Sequence, residues 1–273
     1  MTPTDDVGFA KLARVISEGS GFTVEAYKEK CVRRRIAVRM RACGVHTYGD
    51  YQTFLERTPA EYELLRDALT INVTRFYRNA ETWNLLRRDL LPLLCAAPAG
   101  TLAAWSAGCS SGEEPYTLAA LVAEHLDRGG RQEQLERMTI DATDVDRASL
   151  DRAAAGRYRS EALSEMPPEL VRAYFEPVGA EYRVIERLRR RVHVRRLDLS
   201  REPPARRTYQ LILCRNVVIY FDRSMQERVF QTFAAALAPG GFLVLGKVET
   251  LFGPARDLLQ LVDPRERIYR RPG

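Results

Sequence analysis

The stretch 102–116, LAAWSAGCSSGEEPY, restricts the backbone more than any other part of the chain. Leu-Ala-Ala-Trp is a short apolar run suited to a buried strand, Gly108 and Gly112 bracket a turn of small residues, and Pro115 suits a first helical turn. The pattern predicts strand, tight turn and helix. In open α/β sheets ligands bind beyond the carboxyl ends of the strands, so the turn is a candidate cofactor loop. Its two glycines would let backbone come close to a flat ligand. Gly-rich turns of this kind also occur where nothing binds.

Glu113 and Glu114 add a constraint of charge. A helix N-terminus attracts anions, but a pyrophosphate placed there would face two carboxylates at contact distance, which disfavours a phosphate-bearing cofactor. S-adenosylmethionine, with an ammonium and a sulfonium, would instead be attracted. The alternative is that both glutamates only complement the helix dipole.

The rest of the chain supplies context. Its 273 residues have room for one large domain, or a small one and a larger one. No apolar run approaches the roughly 20 residues that cross a bilayer. The opening MTPTDDVGFA has no basic-then-apolar pattern, so a cytoplasmic protein without direct membrane insertion is expected. Cysteines 31, 43, 95, 109 and 214 form no Cys-x-x-Cys pair and the chain has only three histidines, so reduced thiols are expected and no metal site.

A net charge of +6 permits an acidic partner without naming one. Within residues 28–41, KEKCVRRRIAVRMR, Val32, Ile36 and Met40 fall four apart, which predicts an amphipathic helix with a basic outer face. Further helices are expected over residues 6–17, 48–56 and 60–68, with Gly44 and Pro59 as breaks, making a helical domain of residues 1–70. The segment LTINVTRFYRN follows, its polar groups interleaved with aromatics, fitting a pocket edge or a self-packed linker equally well. A helix over 81–95 and the linker AAPAGT lead into the opening strand.

From there α/β alternation sets in, and residues 71–273 are expected to form the second domain. A second strand over 138–143 ends in Asp144-Val-Asp146. Asp144 is placed to accept both hydroxyls of a ribose, and Asp146 suits a helix cap. Residues 181–196 alternate as short antiparallel strands, giving a small β-subdomain over about 176–196. YQLILC, a strand buried on both faces, ends in Arg215-Asn216-Val-Val-Ile-Tyr220. Ser224 is expected to cap a helix to Ala238, Pro239-Gly240-Gly241 to turn the chain into a central strand, and ERIYRR to form the edge strand.

LTINVTRFYRN, WSAGCSSGEEPY, ATDVD, LILCRNVVIYFD and APGGFLVLGKVET, in that order, resemble the chemotaxis-receptor glutamate methyltransferases, the CheR family. The resemblance covers most of the chain. It implies an α/β fold: a Rossmann-like S-adenosylmethionine-dependent methyltransferase sheet with an N-terminal all-helical domain and a small antiparallel β insertion. It also implies methyl transfer to glutamate side chains on receptor helices, with S-adenosylhomocysteine as product.

Position by position, the resemblance implies that Asn72, Thr74 and Arg78 close over the methionine end of the cofactor and that Glu114, near Gly108, faces its amino group. Asp144 is the implied ribose ligand, with Arg215 and Asn216 on the adenosine side and floor, and Asp198 and Leu199 beside the adenine. Asp198 stands where the family usually has Asn. An Asp accepts from the adenine amino group but donates nothing.

A glutamate carboxylate is ionised at neutral pH and is its own nucleophile, so no general base is needed. Arg78 and Tyr220 are the candidates for holding it. Arg35, Arg39 and Arg41 are the candidates for steering an acidic receptor helix. The sequence PVGAEY is shorter than the Gly-containing loop of members that dock on a receptor's C-terminal pentapeptide, so independence of that tether is expected. A nucleic-acid methyltransferase is the competing enzyme class, and Asn-Val-Val-Ile-Tyr lacks the Pro-Pro-Tyr that clamps a flipped base. A silent cofactor-binding protein is the third class, and the intact Arg78 and Tyr220 count against it.

Overall fold

A computed structural model describes residues 3–20, 22–70, 73–96, 102–206 and 208–273. Asn72 and most of the AAPAGT linker lie outside them. The chain divides into two compact units, Met1–Ile71 with Tyr220–Gln226, and Asn72–Ile219 with Glu227–Gly273.

The first unit is helical: α1 (Pro3–Ser20), α2 (Glu29–Ala42), α3 (Tyr48–Arg57) and α4 (Ala60–Leu69). The four-residue spacing in α2 puts Val32, Ile36 and Met40 on one buried stripe, packed with Leu12, Ile16, Tyr51 and Leu65. Gly44, at φ +68, follows the end of α2, and the Thr47 hydroxyl accepts the Asp50 N–H to cap α3. In this unit Tyr27 bridges Phe221 antiparallel, and the Tyr220 carbonyl accepts the Lys28 N–H at 2.8 Å. Asp222, rather than the expected Ser224, caps the helix that follows. Its Oδ1 accepts the Met225 N–H at 2.7 Å and the Ser224 hydroxyl at 3.0 Å.

The second unit begins with helical turns, α5 (Ala80–Leu85), a π-helical segment Leu86–Leu90, and α6 (Leu91–Leu94). Then come β1 (Ala103–Ala107), α7 (Glu113–Arg128), α8 (Gln132–Glu136), β2 (Thr139–Asp144) and α9 (Arg147–Ala155). They are followed by β3 (Arg157–Arg159), α10 (Pro168–Tyr174), β4 (Phe175–Val178), β5 (Glu181–Val184), α11 (Glu186–Arg189), β6 (Val192–Arg196) and β7 (Tyr209–Cys214). The chain ends with α12 (Arg223–Ala236), whose first residues count with the helical unit, then β8 (Leu237–Leu245), α13 (Ala255–Leu258), β9 (Gln260–Asp263) and β10 (Ile268–Arg270).

The main sheet has seven strands in the order β6-β2-β1-β7-β8-β10-β9. Strands β6, β2, β1, β7 and β8 run parallel, while β10 is antiparallel to both its neighbours. Its buried apolar strands match the continuous runs in the sequence. Trp105 of β1 is fully buried between Tyr209 and Phe233, at ring-centroid distances of 5.4 and 5.3 Å, and its indole N–H donates to Thr143 Oγ1 at 2.8 Å.

Three strand expectations change. Val192–Arg196 joins the main sheet parallel to β2, so the small sheet is β3-β5-β4 and draws its third strand from Arg157–Arg159. Local alternation cannot tell a half-exposed edge of a parallel sheet from a free antiparallel strand. The segment ERIYRR supplies β10, inside the sheet, and Gln260–Asp263 takes the edge. Pro239-Gly240-Gly241 falls within β8, where the pairing with β7 shifts register between Tyr209 and Leu211.

Candidate active site

Strand order reverses at β1: β2 lies on one side and β7 on the other. The crevice beyond their carboxyl ends is where an open α/β sheet binds its ligand. The turn after β1 is tight because Gly108 and Cys109 N–H groups both donate to the Thr143 carbonyl, at 2.8 and 2.9 Å. Gly108 has φ +82, and a Cβ there would lie 2.4 Å from Val217 Cγ2, so the turn and the loop after β7 touch in a way only glycine allows.

The two glutamates that open α7 have different surroundings. Glu113 is buried and takes the Ser111 hydroxyl on both oxygens, at 2.9 Å. Glu114 points to the strand ends: Oε1 accepts from Ser106 Oγ at 2.8 Å, and Oε2 lies 3.5 Å from the Arg215 guanidinium. Burial pushes the Glu114 carboxyl above its usual range, with Arg215 and Ser106 opposing.

Asp144 ends β2. Its Oδ2 accepts the Ser110 N–H at 2.8 Å and its Oδ1 the Asp146 N–H at 3.0 Å, so the carboxylate is aimed by backbone and keeps further lone pairs. Burial raises its pKa too, against those backbone bonds. Asp146 caps α9 as its position predicts, accepting from Ala148 and Ser149 N–H groups. Asp198 follows β6 on the far side of Asp144, since the Leu197 N–H donates to the Asp144 carbonyl at 2.9 Å. The Asp198 Oδ1 accepts the Ser200 N–H at 2.8 Å, a tight local turn, and Leu199 beside it is half-buried.

Arg215, the implied adenosine-side contact, is engaged by several groups of the protein. Its side chain is 4% exposed, donates to the Arg78 carbonyl at 2.7 Å and Asn79 Oδ1 at 3.0 Å, and lies 5.2 Å from the Trp83 ring centroid. Its guanidinium therefore braces Glu114 and the 78–79 turn. Arg78 donates to the Val73 carbonyl at 2.8 Å and is half-buried, as is Thr74. Asn216 has φ +60, and its Oδ1 is a buried acceptor with no partner among the described residues. The Ser110 hydroxyl and the Arg215 Nε donor are likewise without a partner among the described residues.

Tyr220 counts with the helical unit, where the Arg35 guanidinium lies 5.8 Å from its ring centroid. The docking candidates change with the structure. Arg35 donates to the Ala68 and Leu69 carbonyls at 3.2 and 2.5 Å, closing the end of α4. Arg39 makes a two-pronged ion pair to Glu61 at 2.9 and 2.7 Å. Both are spent on the fold, because on a helix of fourteen residues some basic positions must face the neighbouring helix. Arg41 stays exposed, joined by Lys30 and Arg34, which the sequence reading passed over.

The reading also passed over Glu249, 2% exposed after β8, although its segment was part of the resemblance. A glutamate three residues past the glycine that ends a buried strand is the signal that was available.

The site sets the acceptors Glu114, Asp144 and Asn216 Oδ1 at the switch point of the sheet, with Arg215 beside Glu114. Two carboxylates and an amide oxygen there suit a ligand bearing an ammonium and ribose hydroxyls. Fold and site define an S-adenosylmethionine-dependent methyltransferase domain. Residues 72–268 match the S-adenosylmethionine-binding domain of CheR methyltransferases, and residues 8–70 match the CheR all-alpha domain. The chain belongs to the CheR methyltransferase family. It is 34% identical to a chemotaxis protein methyltransferase of Klebsiella aerogenes over 93% of this chain and 87% of that one. It is 32% identical to one of Listeria innocua, over 93% and 94%, and 34% identical to chemotaxis protein methyltransferase 2 of Pseudomonas aeruginosa, over 84% and 81%. No helix among the described residues is long and apolar enough to cross a membrane.

Proposed function

We propose that the protein methylates glutamate side chains of methyl-accepting chemotaxis receptors, in the cytoplasm and without a C-terminal pentapeptide tether. The observation that carries this is the convergence of Glu114, Asp144 and Asn216 at the ends of β1, β2 and β7, the acceptor set a cationic nucleoside cofactor needs. Bound S-adenosylmethionine supplies an electrophilic methyl on a sulfonium, and an ionised carboxylate takes it without a general base.

The chain's own groups bind and orient. Glu114 receives the amino group, Asp144 the ribose hydroxyls, and Asn216 Oδ1 a further donor, while Asp198 and Leu199 border the base. Thr74 and Arg78, with Asn72, belong to the segment over the methionine end. Arg78 also holds the attacking carboxylate, its charge exchanging hydration for a fixed partner. Arg215 acts through Glu114 and the 78–79 turn. Tyr220→Phe is expected to lower turnover more than cofactor affinity.

The basic face that steers an acidic receptor helix is assigned to Lys30, Arg34 and Arg41, since Arg35 and Arg39 are engaged within the helical unit. Independence of the pentapeptide is supported by the hairpin of β4 and β5, which turns through only Gly179 and Ala180. The deciding assay offers labelled cofactor with purified receptor and looks for base-labile volatile label. Transfer of no such label, with cofactor binding intact, refutes the glutamate assignment, and measurable affinity for a receptor pentapeptide refutes the tether-free one.

A further inference from the structure

After β7 the chain leaves the sheet through Arg215 and Asn216 and runs to a short 3-10 turn, Val218–Tyr220. The N–H groups of residues 216, 217 and 219 need partners that no strand provides. All three donate to one buried side chain. Glu249 Oε2 accepts from Asn216 N at 2.9 Å and from Gly246 N at 2.6 Å, and its Oε1 accepts from Val217 N at 2.9 Å and Ile219 N at 3.3 Å. One carboxylate thus ties the loop that leaves β7 to the loop that leaves β8, the neighbouring strand.

The approach of the carboxylate depends on Gly246. A Cβ on Gly246 would stand 2.7 Å from Glu249 Oε2 and 2.8 Å from Asn216 N, so glycine is needed for the carboxylate to reach. The left-handed Asn216 is held by that contact, its Oδ1 an acceptor without a partner among the described residues, and Val217 is held against Gly108. Burial raises the Glu249 pKa, and the four backbone donors oppose it.

We propose that Glu249 is a positioning residue for the cofactor site: by collecting the amides of Gly246, Asn216, Val217 and Ile219 it sets where Asn216 and Val217 stand beside the glycine turn. The assignment rests on the cofactor reading above, but not on the receptor substrate. An amide at this position keeps the shape and replaces one acceptor oxygen by a donor that would face two N–H groups.

The test is calorimetric binding of S-adenosylhomocysteine to the full chain, which needs no receptor. Glu249→Gln is expected to weaken binding roughly 10- to 100-fold, the loss of hydrogen bonds to a charged group. The KM for S-adenosylmethionine should rise by more than kcat falls, and Glu249→Asp should recover part of the affinity. A residue that only supports folding would lower the binding stoichiometry and kcat while leaving Kd and KM unchanged, and that result overturns the proposal. Should Glu249→Gln fail to fold, Gly246→Ala decides: it keeps the carboxylate but crowds it off Asn216, and an unchanged Kd there overturns the proposal equally. Absence of binding by the unmodified chain would sink the cofactor reading instead, and failure to label receptors with binding intact would sink only the substrate.

Discussion

Replacing Arg39 by Ala removes both guanidinium contacts to Glu61, a carboxylate 3% exposed, while the Tyr51 hydroxyl still donates to it at 2.8 Å. A surface pair would cost 0–1 kcal/mol, whereas orphaning a buried charge costs about 3–5 kcal/mol. Because the Arg39 side chain is 20% exposed and water reaches that side of the pair, about 3 kcal/mol is expected at neutral pH. The cost should depend on pH. Burial pushes the Glu61 carboxyl up, but Arg39 and Tyr51 outweigh it and hold it below its usual range. In the unmodified protein its contribution is present above the unfolded-state pKa and fades as pH falls through the lower folded value. In Arg39→Ala burial acts without Arg39, so the carboxyl protonates at higher pH and relieves the variant sooner. The two stabilities should therefore converge between neutral pH and about pH 4. Amide exchange of α2 and α4 measures this locally, and about 3 kcal/mol corresponds to roughly 100-fold lower protection. Unchanged protection at pH 7, or a loss that stays constant with pH, would refute the reasoning. Charge reversal at Arg39 accordingly tests folding and not receptor docking.

Glu114→Gln should weaken S-adenosylhomocysteine binding by about 1.5–3 kcal/mol, read by calorimetry, and an unchanged Kd would remove Glu114 from the site. Because the unliganded Glu114 carboxyl titrates above its usual range and the cofactor's ammonium favours the ionised form, affinity should be full above that raised value and fall as pH drops through it. Apo-protein stability carries the opposite sign from this group, since neutralising a buried carboxylate relieves its burial cost. Gly108→Ala, at φ +82 and 2.4 Å from Val217, should cost about 2–4 kcal/mol in denaturant unfolding. Arg34→Glu with Arg41→Glu should slow receptor methylation most at low salt and leave cofactor Kd untouched; a salt-independent effect would point away from steering.

Short-range patterns carried much of this molecule. The Val32, Ile36 and Met40 spacing, the Asp146 cap and the apolar run of β7 are consequences of neighbours within a few residues, so they stand in the sequence as in the structure. The order of motifs was also enough to place the chain in its family. What the sequence left open was which partner each polar group meets across long separations. Periodicity put Arg35 and Arg39 on a basic helix, but only packing against α4 turned them toward Leu69 and Glu61 and left Arg34 and Arg41 outside. Arg215 and Glu114 lie 101 positions apart and Glu249 and Asn216 thirty-three, distances over which no local pattern fixes a contact. Sequence therefore determined the elements and the chemistry at their ends. Tertiary structure decided which of those charged groups face a ligand and which serve the fold, because a buried charge is tolerated only where distant chain brings it a partner.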